Sequence, residues 1–245
     1  MDLNYQLKGE GPLYLICLHG LGGSLKDFDF LIDHLKENYQ ILRVDLRGFG
    51  ASDKPLSPLY DTKLWATDLK QLLGSLQIEK AVVMGHSMGA RVATEFAALF
   101  PEKTLGLIAL NITVWGANLP AKDKLVRLAD RIASKGMEAA QIMIPPFSDA
   151  RIKKRVEDSI KSCEPAAFAL ALKSVAQDYG TKRSSLFYEK IVCPCLILLG
   201  DRDTAPLQGG ARFEREPYSR LLWFDPRLWA LFTFRKTASR CSYDT

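Results

Sequence analysis

The chain has 245 residues, of which 47% are hydrophobic and 25% charged, and its formal net charge is +5. That is the make-up of an ordinary soluble globular protein, built as one large domain or as a core carrying an insertion. No apolar run approaches the ~20 residues of a membrane span, and the charge is too weak to argue for nucleic acid or an anionic membrane as partner.

The charge is also unevenly spread. Residues 206–245 hold seven Lys/Arg against four Asp/Glu, so +3 of the +5 comes from that segment. The opening Met1-Asp2-Leu3-Asn4-Tyr5 lacks the basic-then-apolar pattern of a signal peptide. Five cysteines in no framework spacing point to reduced thiols and a cytoplasmic location. Cys193-Pro194-Cys195 is too tightly spaced for a C-x-x-C redox motif and reads as core packing.

Taken in chain order, strand-length apolar runs alternate with amphipathic segments of helical length. This is the pattern of a mostly parallel sheet covered by helices. Asn4–Leu7 reads as the edge strand of a leading hairpin turned by Gly9-Glu10-Gly11-Pro12. Leu13–Leu18 is the next strand, and it runs straight into Leu18-His19-Gly20-Leu21-Gly22-Gly23-Ser24. Glycines there free backbone N–H groups to point at a developing oxyanion. The loop lacks both the Gly-Lys-Ser/Thr of a P-loop and the G-x-G-x-x-G spacing, which argues against phosphate.

A helix is expected over Leu25–Glu37 and a strand over Gln40–Asp45. After that strand, Asp45-Leu46-Arg47-Gly48-Phe49-Gly50-Ala51-Ser52 offers an acid and a base that read as braces for loops around a site. Thr62–Leu76 carries a helical stripe of Leu64, Trp65, Leu69, Leu72, Leu73 and Leu76. Ala81–Gly85 is a buried strand ending in Gly85-His86-Ser87-Met88-Gly89, after which Met88–Phe100 is helical. G-x-S-x-G between strand and helix puts the Ser87 hydroxyl at the tip of a strained turn. The flanking glycines are required where neighbouring backbone comes close.

Gly106–Leu110 and Cys195–Leu199 complete the strands. Between them Leu119–Lys135, Asp149–Cys163 and Pro165–Tyr179 read as helices, with breaks at Pro145-Pro146 and Gly180. Such a helical insertion is most simply a lid over a substrate site, the alternative being an ordinary helical layer. Met137, Ile142, Met143, Ile144 and Phe147 are candidates for its apolar face, as lid core or as substrate wall.

Three motifs in this order, His-Gly-x-Gly-Gly, Asp-x-Arg-Gly-x-Gly-x-Ser and Gly-His-Ser-Met-Gly, resemble those of the α/β-hydrolase superfamily. The resemblance runs from about Tyr5 to Pro206. It implies an α/β fold with a mostly parallel sheet flanked by helices, an inserted lid after the family's sixth strand, and a Ser–Asp/Glu–His triad in that chain order. On this reading residues 1–114 and 191–224 form the two parts of the core, 115–190 the lid and 225–245 an aberrant tail. Ser87 would be the nucleophile, and the backbone amides of Leu21 and Met88 the oxyanion donors. A serine at the elbow separates the chain from the haloalkane dehalogenase and epoxide hydrolase branches, which place an aspartate there.

Leu199-Gly200-Asp201-Arg202-Asp203 resembles the family's strand-then-Gly-Asp-x-Asp segment, whose second carboxylate orients the catalytic base. Asp203 is therefore the candidate acid ahead of Asp201; the alternative, an exposed turn aspartate between Gly200 and Pro206, is the weaker reading beside the preceding motifs. The expected histidine is missing. The chain has three histidines, His19, His34 and His86, and none follows Ser87. The window where the family keeps its Gly-His step reads Arg220-Leu221-Leu222-Trp223-Phe224-Asp225-Pro226-Arg227-Leu228-Trp229-Ala230.

One choice of codons for Pro226 through Cys241, read one nucleotide later, gives Pro-Gly-Cys-Gly-His-Tyr-Ser-Leu-Ser-Glu-Lys-Pro-Gln-Ala-Val. That is close to the ending the family leads one to expect, so a frameshift is the expected origin of the tail. The resemblance then implies a cofactor-independent serine hydrolase of a small ester, lactone or related acyl substrate, impaired here by the missing base. A silent small-molecule-binding descendant and a carbon–carbon hydrolase or lyase are the alternatives. No cofactor, metal or nucleic acid is expected.

Overall fold

The computed structural model describes residues 1–56, 60–111, 119–144, 149–177, 190–199 and 220–224. Its centre is a seven-stranded sheet in the order β1-β3-β2-β4-β5-β6-β7. The strands are β1 (Tyr5–Lys8), β2 (Leu13–Leu18), β3 (Tyr39–Val44), β4 (Ala81–His86), β5 (Thr104–Leu110), β6 (Cys195–Leu199) and β7 (Arg220–Phe224). All neighbours from β3 to β6 run parallel, and antiparallel pairs close both edges, β1 on β3 and β7 on β6. This is the mostly parallel α/β sheet that the alternating runs imply.

The helices are α1 (Asp29–Leu35), α2 (Thr62–Ser75), α3 (Met88–Leu99), α4 (Leu119–Lys135), α5 (Ala150–Lys161) and α6 (Pro165–Gln177). Alternate residues of the strands face opposite layers. Ile16, Leu18, Leu42, Val44 and Val83 join Trp65 and Leu69 of α2 and Val92 and Phe96 of α3 in the larger core. Leu15, Cys17, Ile41, Val82 and Met84 pack with Phe28 in the smaller one. Cys193 and Cys195 are buried as core residues. Among the described residues no helix is long and apolar enough to cross a membrane.

Two expectations are corrected. Asn4–Leu7 does not form a hairpin with the strand that follows, because β3 lies between β1 and β2. The connection crosses the start of β3 instead. Glu10 donates its amide to the Lys36 carbonyl at 2.9 Å, and a Cβ on Gly11 would sit 1.9 Å from the Asn38 carbonyl carbon. The glycines serve this close crossing, not a two-strand turn. The expected helix Leu25–Glu37 divides into a 3-10 turn, Leu25–Phe28, and α1. The Asp45 carboxylate, accepting the Leu25 amide at 2.7 Å, anchors that turn.

The helical insertion follows β5. A 3-10 segment, Met137–Met143, joins its helices, and α4 packs on α6. Met137 is buried in the larger core, Met143 and Ile144 pack partly buried against it, and Ile142 is exposed. Phe147 lies outside the described residues.

Candidate active site

The chain passes from β2 to β3 on one side of the sheet and then crosses to β4 on the other. The loops after β2 and β4 therefore diverge from a switch point, where parallel α/β sheets form a crevice at the strands' carboxyl ends. The two strongest sequence motifs sit on these two loops.

After β4 the backbone turns sharply into α3, and Ser87 makes the turn at φ 52° and ψ −111°. A side chain other than glycine at positive φ is uncommon, and such strain concentrates at functional sites. The turn is held by its neighbours, with the Ser87 amide donating to the Leu110 carbonyl at the end of β5 at 2.9 Å. A Cβ on Gly85 would lie 2.1 Å from the Gly89 carbonyl oxygen, and one on Gly89 would lie 2.2 Å from that of Leu18. Both positions demand glycine, as the motif implies.

Ser87 occupies the N-cap of α3 but its side chain makes no capping hydrogen bond, and the residue is exposed. Its hydroxyl is thus presented outward. Met88 is the first residue of α3, so its N–H has no acceptor within the helix and adds to the positive helix end.

The loop after β2 folds into a turn closed by the Gly23 amide on the Gly20 carbonyl at 3.0 Å, with Gly22 at φ 76°. The Gly20 carbonyl also meets Nδ1 of His19 at 2.7 Å. Nε2 of His19 accepts the Leu46 amide at 3.0 Å, so Nδ1 carries the ring proton and donates it. The Leu21 N–H shares a trans peptide with the Gly20 carbonyl and points the opposite way. Two donors drawing that carbonyl inward therefore turn the Leu21 amide away from them.

None of the three histidines follows Ser87 in the chain. His19 is fully buried, both its ring nitrogens are engaged, and burial holds its pKa below the ordinary value. His34 lies exposed on α1, which packs on β3. His86 adjoins Ser87, but its ring lies against Gly20, where an added Cβ would meet Nδ1 at 2.9 Å. Asp201 and Asp203 lie outside the described residues, as does the tail 225–245. Neither Cys17 nor Cys163 is a rival nucleophile. Burial raises the Cys17 thiol and pushes Cys163 up to about 11.

The other polar residues of the second motif act as braces. The Asp45 carboxylate accepts the Leu25 and Ala51 amides and the Asn4 side-chain amide at 2.7–2.9 Å. Arg47 pairs bidentately with Asp68 at 2.7 and 2.6 Å. Sequence reading gave no hint of the insertion's contacts with the glycine turn. Ser159 of α5 donates its hydroxyl to the Gly22 carbonyl at 2.8 Å, and Phe168 of α6 packs edge-on against Phe49 at 6.4 Å. Such contacts join residues more than a hundred positions apart and leave no local pattern.

Residues 14–204 match the family model for the alpha/beta hydrolase fold. The chain belongs to the α/β-hydrolase family. It is 35% identical over 209 residues to a 2-(acetamidomethylene)succinate hydrolase of Mesorhizobium japonicum, covering 82% of this chain and 74% of that one. Among solved structures, a thermophilic esterase from Thermogutta terrifontis with malate bound superposes with a TM-score of 0.75 at 26% identity, covering 82% of this α/β-hydrolase and 75% of the esterase. The enol-lactonase of Burkholderia xenovorans superposes at 0.73 and 22% identity, covering 83% and 79%. At that identity the lactonase speaks to the fold alone.

Proposed function

We propose that this α/β-hydrolase is built for serine-nucleophile acyl chemistry, with Ser87 attacking the carbonyl carbon of a small ester, lactone or related substrate. The observation that carries this reading is the exposed Ser87 at positive φ, beside a glycine turn whose Leu21 amide is directed by the Gly20 carbonyl. Leu21 and Met88 amides would hold the oxyanion, and the insertion would close over the crevice as a lid. Asp203 would orient a histidine that this chain lacks. Without imidazole Ser87 is an unactivated alcohol. In subtilisin, removing the base of the serine triad costs roughly 10⁶ in turnover.

The charge distribution supports a substrate that carries a carboxylate. Residues 119–177 hold eleven Lys/Arg against seven Asp/Glu, whereas residues 1–118 hold eleven against thirteen. An electropositive insertion over a more acidic core raises the local concentration of an anionic substrate. Succinate in the name of one relative and malate in the esterase crystal agree with this class. A cytoplasmic location fits the cysteines, which are free at positions 17, 163, 193 and 195.

The missing histidine favours a second reading, a silent descendant that binds such a molecule under its lid. Hydrolysis of a chromogenic short-chain ester, with imidazole supplied in solution as the base, separates the two. Turnover above that of Ser87→Ala supports the hydrolase. Melting shifts with small carboxylates and no Ser87-dependent turnover support the binder.

A further inference from the structure

We infer that Ser159 is a positioning residue for the oxyanion hole, acting from the insertion through the glycine turn. This deepens the serine hydrolase reading and rests on it. The Ser159 hydroxyl donates to the Gly22 carbonyl at 2.8 Å. That carbonyl and the Gly23 N–H belong to one peptide unit, and the Gly23 N–H donates to the Gly20 carbonyl at 3.0 Å. The Gly20 carbonyl in turn shares its peptide unit with the Leu21 N–H. Hydroxyl, peptide, peptide and oxyanion donor form one chain, each link accepting at one end and donating at the other.

Two consequences follow from ordinary hydrogen-bond physics. A peptide held at its carbonyl and its N–H is fixed in tilt, so the Leu21 amide keeps one direction before substrate arrives. Each accepted bond also polarises the next donor, and such chains strengthen cooperatively. A preorganised donor is what an oxyanion hole requires, because it costs no reorganisation during the reaction.

The surroundings show that the contact is built into the fold. Gly22 is buried at φ 76°, and a Cβ there would lie 3.0 Å from Phe168 Cε2 and 3.1 Å from Ile160 Cγ1. The insertion thus seats two apolar side chains on the turn as well as the hydroxyl. One turn before Ser159, the Arg155 guanidinium donates to the Lys26 carbonyl beyond the turn. One turn after it, Cys163 Sγ sits 3.8 Å from the Gly22 oxygen. The α5 helix lies along the loop, with Ser159 at the peptide that matters for Leu21.

The test pairs a structural with a kinetic readout on the full chain. Residue-resolved amide exchange is followed by NMR at Gly23, and the Ser87-dependent part of imidazole-assisted ester hydrolysis is split into kcat and KM. Ser159→Ala is expected to speed exchange at Gly23 and to lower kcat about tenfold with KM unchanged, less than the 10²–10³ lost when an oxyanion donor is removed outright. Ser159→Thr keeps the hydroxyl and should restore both. Ser162→Ala, whose hydroxyl donates to the Ser159 carbonyl at the end of α5 and, among the described residues, does not reach the glycine turn, should change neither.

Unchanged exchange at Gly23 in Ser159→Ala overturns the inference, as does faster exchange with unchanged kcat. If the parent has no Ser87-dependent turnover, the hydrolase reading fails separately. Exchange at Gly23 then decides by itself whether Ser159 holds the turn.

Discussion

The Leu46 amide donates to Nε2 of His19 at 3.0 Å, and the other ring nitrogen donates to the Gly20 carbonyl at 2.7 Å. One neutral imidazole thereby joins the loop after β3 to the turn that presents the Leu21 amide. The ring must stay neutral, because protonating Nε2 would set a donor against the Leu46 N–H. Burial enforces this by lowering the pKa from its ordinary 6.5, partly offset by the Gly20 bond and by Asp27 and Asp45.

That depression fixes the sign of a pH dependence. Below the unfolded value the unfolded chain binds a proton that the native chain refuses, so stability rises with pH. The His19 contribution is complete above about pH 6.5 and is lost as pH falls toward the folded value, by at most ~1.4 kcal/mol per pH unit. Chemical denaturation between about pH 5.5 and 7.5, roughly one unit either side of an ordinary histidine, should show this slope in the parent. In His19→Asn that part of the slope should vanish.

The elbow glycines answer to packing, and a third glycine shows the contrast. Gly85→Ala and Gly89→Ala each drive a Cβ into backbone at 2.1–2.2 Å. Backbone cannot swing aside as a side-chain end can, so a loss of about 3 kcal/mol or more is expected, with a clear fall in Tm. Gly74 lies exposed in the last turn of α2 with nothing within 4 Å of an added Cβ. Gly74→Ala should raise stability by about 0.5–1 kcal/mol. Thermal unfolding of the three variants checks both directions.

Much of this geometry is legible in the sequence because glycine spacing encodes backbone proximity. Gly85-His86-Ser87-Met88-Gly89 between an apolar run and a helical one admits few other shapes. The parallel strands from Leu13 to Leu199 are legible for the same kind of reason, since buried parallel strands are continuous apolar runs, whereas the antiparallel edge strand β7 was not expected. The pairing of β1 was not legible either. Gly9 and Gly11 read as a hairpin turn, yet they serve a crossing over β3, and sequence patterns do not record which distant strand a glycine approaches. The hold of Ser159 on Gly22 was hidden for the same reason.

Arg47 and Asp68 give a direct test of the braces. Asp68 is 4% exposed in its side chain and Arg47 13%, and the pair is bidentate. Asp68→Ala leaves a partly buried guanidinium without its partner, which should cost about 1–3 kcal/mol. Urea unfolding of the variant measures it, and Arg47→Met with Asp68→Leu should recover most of the loss.

The basic insertion predicts a salt dependence. For a carboxylate-bearing ester, Ser87-dependent turnover with imidazole should show a KM that rises several-fold between low salt and about 0.5 M, as screening shortens the field to a few ångströms. A neutral ester of the same size should show little change in KM over that range. Equal behaviour of the two esters would remove the case for an anionic substrate.

The central claim is that Ser87 is a nucleophile deprived of its base. Labelling by a fluorophosphonate, followed by intact mass and peptide mapping, tests it in this chain and in a restored chain whose residues 226–240 are replaced by Pro-Gly-Cys-Gly-His-Tyr-Ser-Leu-Ser-Glu-Lys-Pro-Gln-Ala-Val. The expected result is one adduct on Ser87, formed in the restored chain faster by several orders of magnitude. Equal rates in the two chains, or an adduct that survives Ser87→Ala, would contradict it.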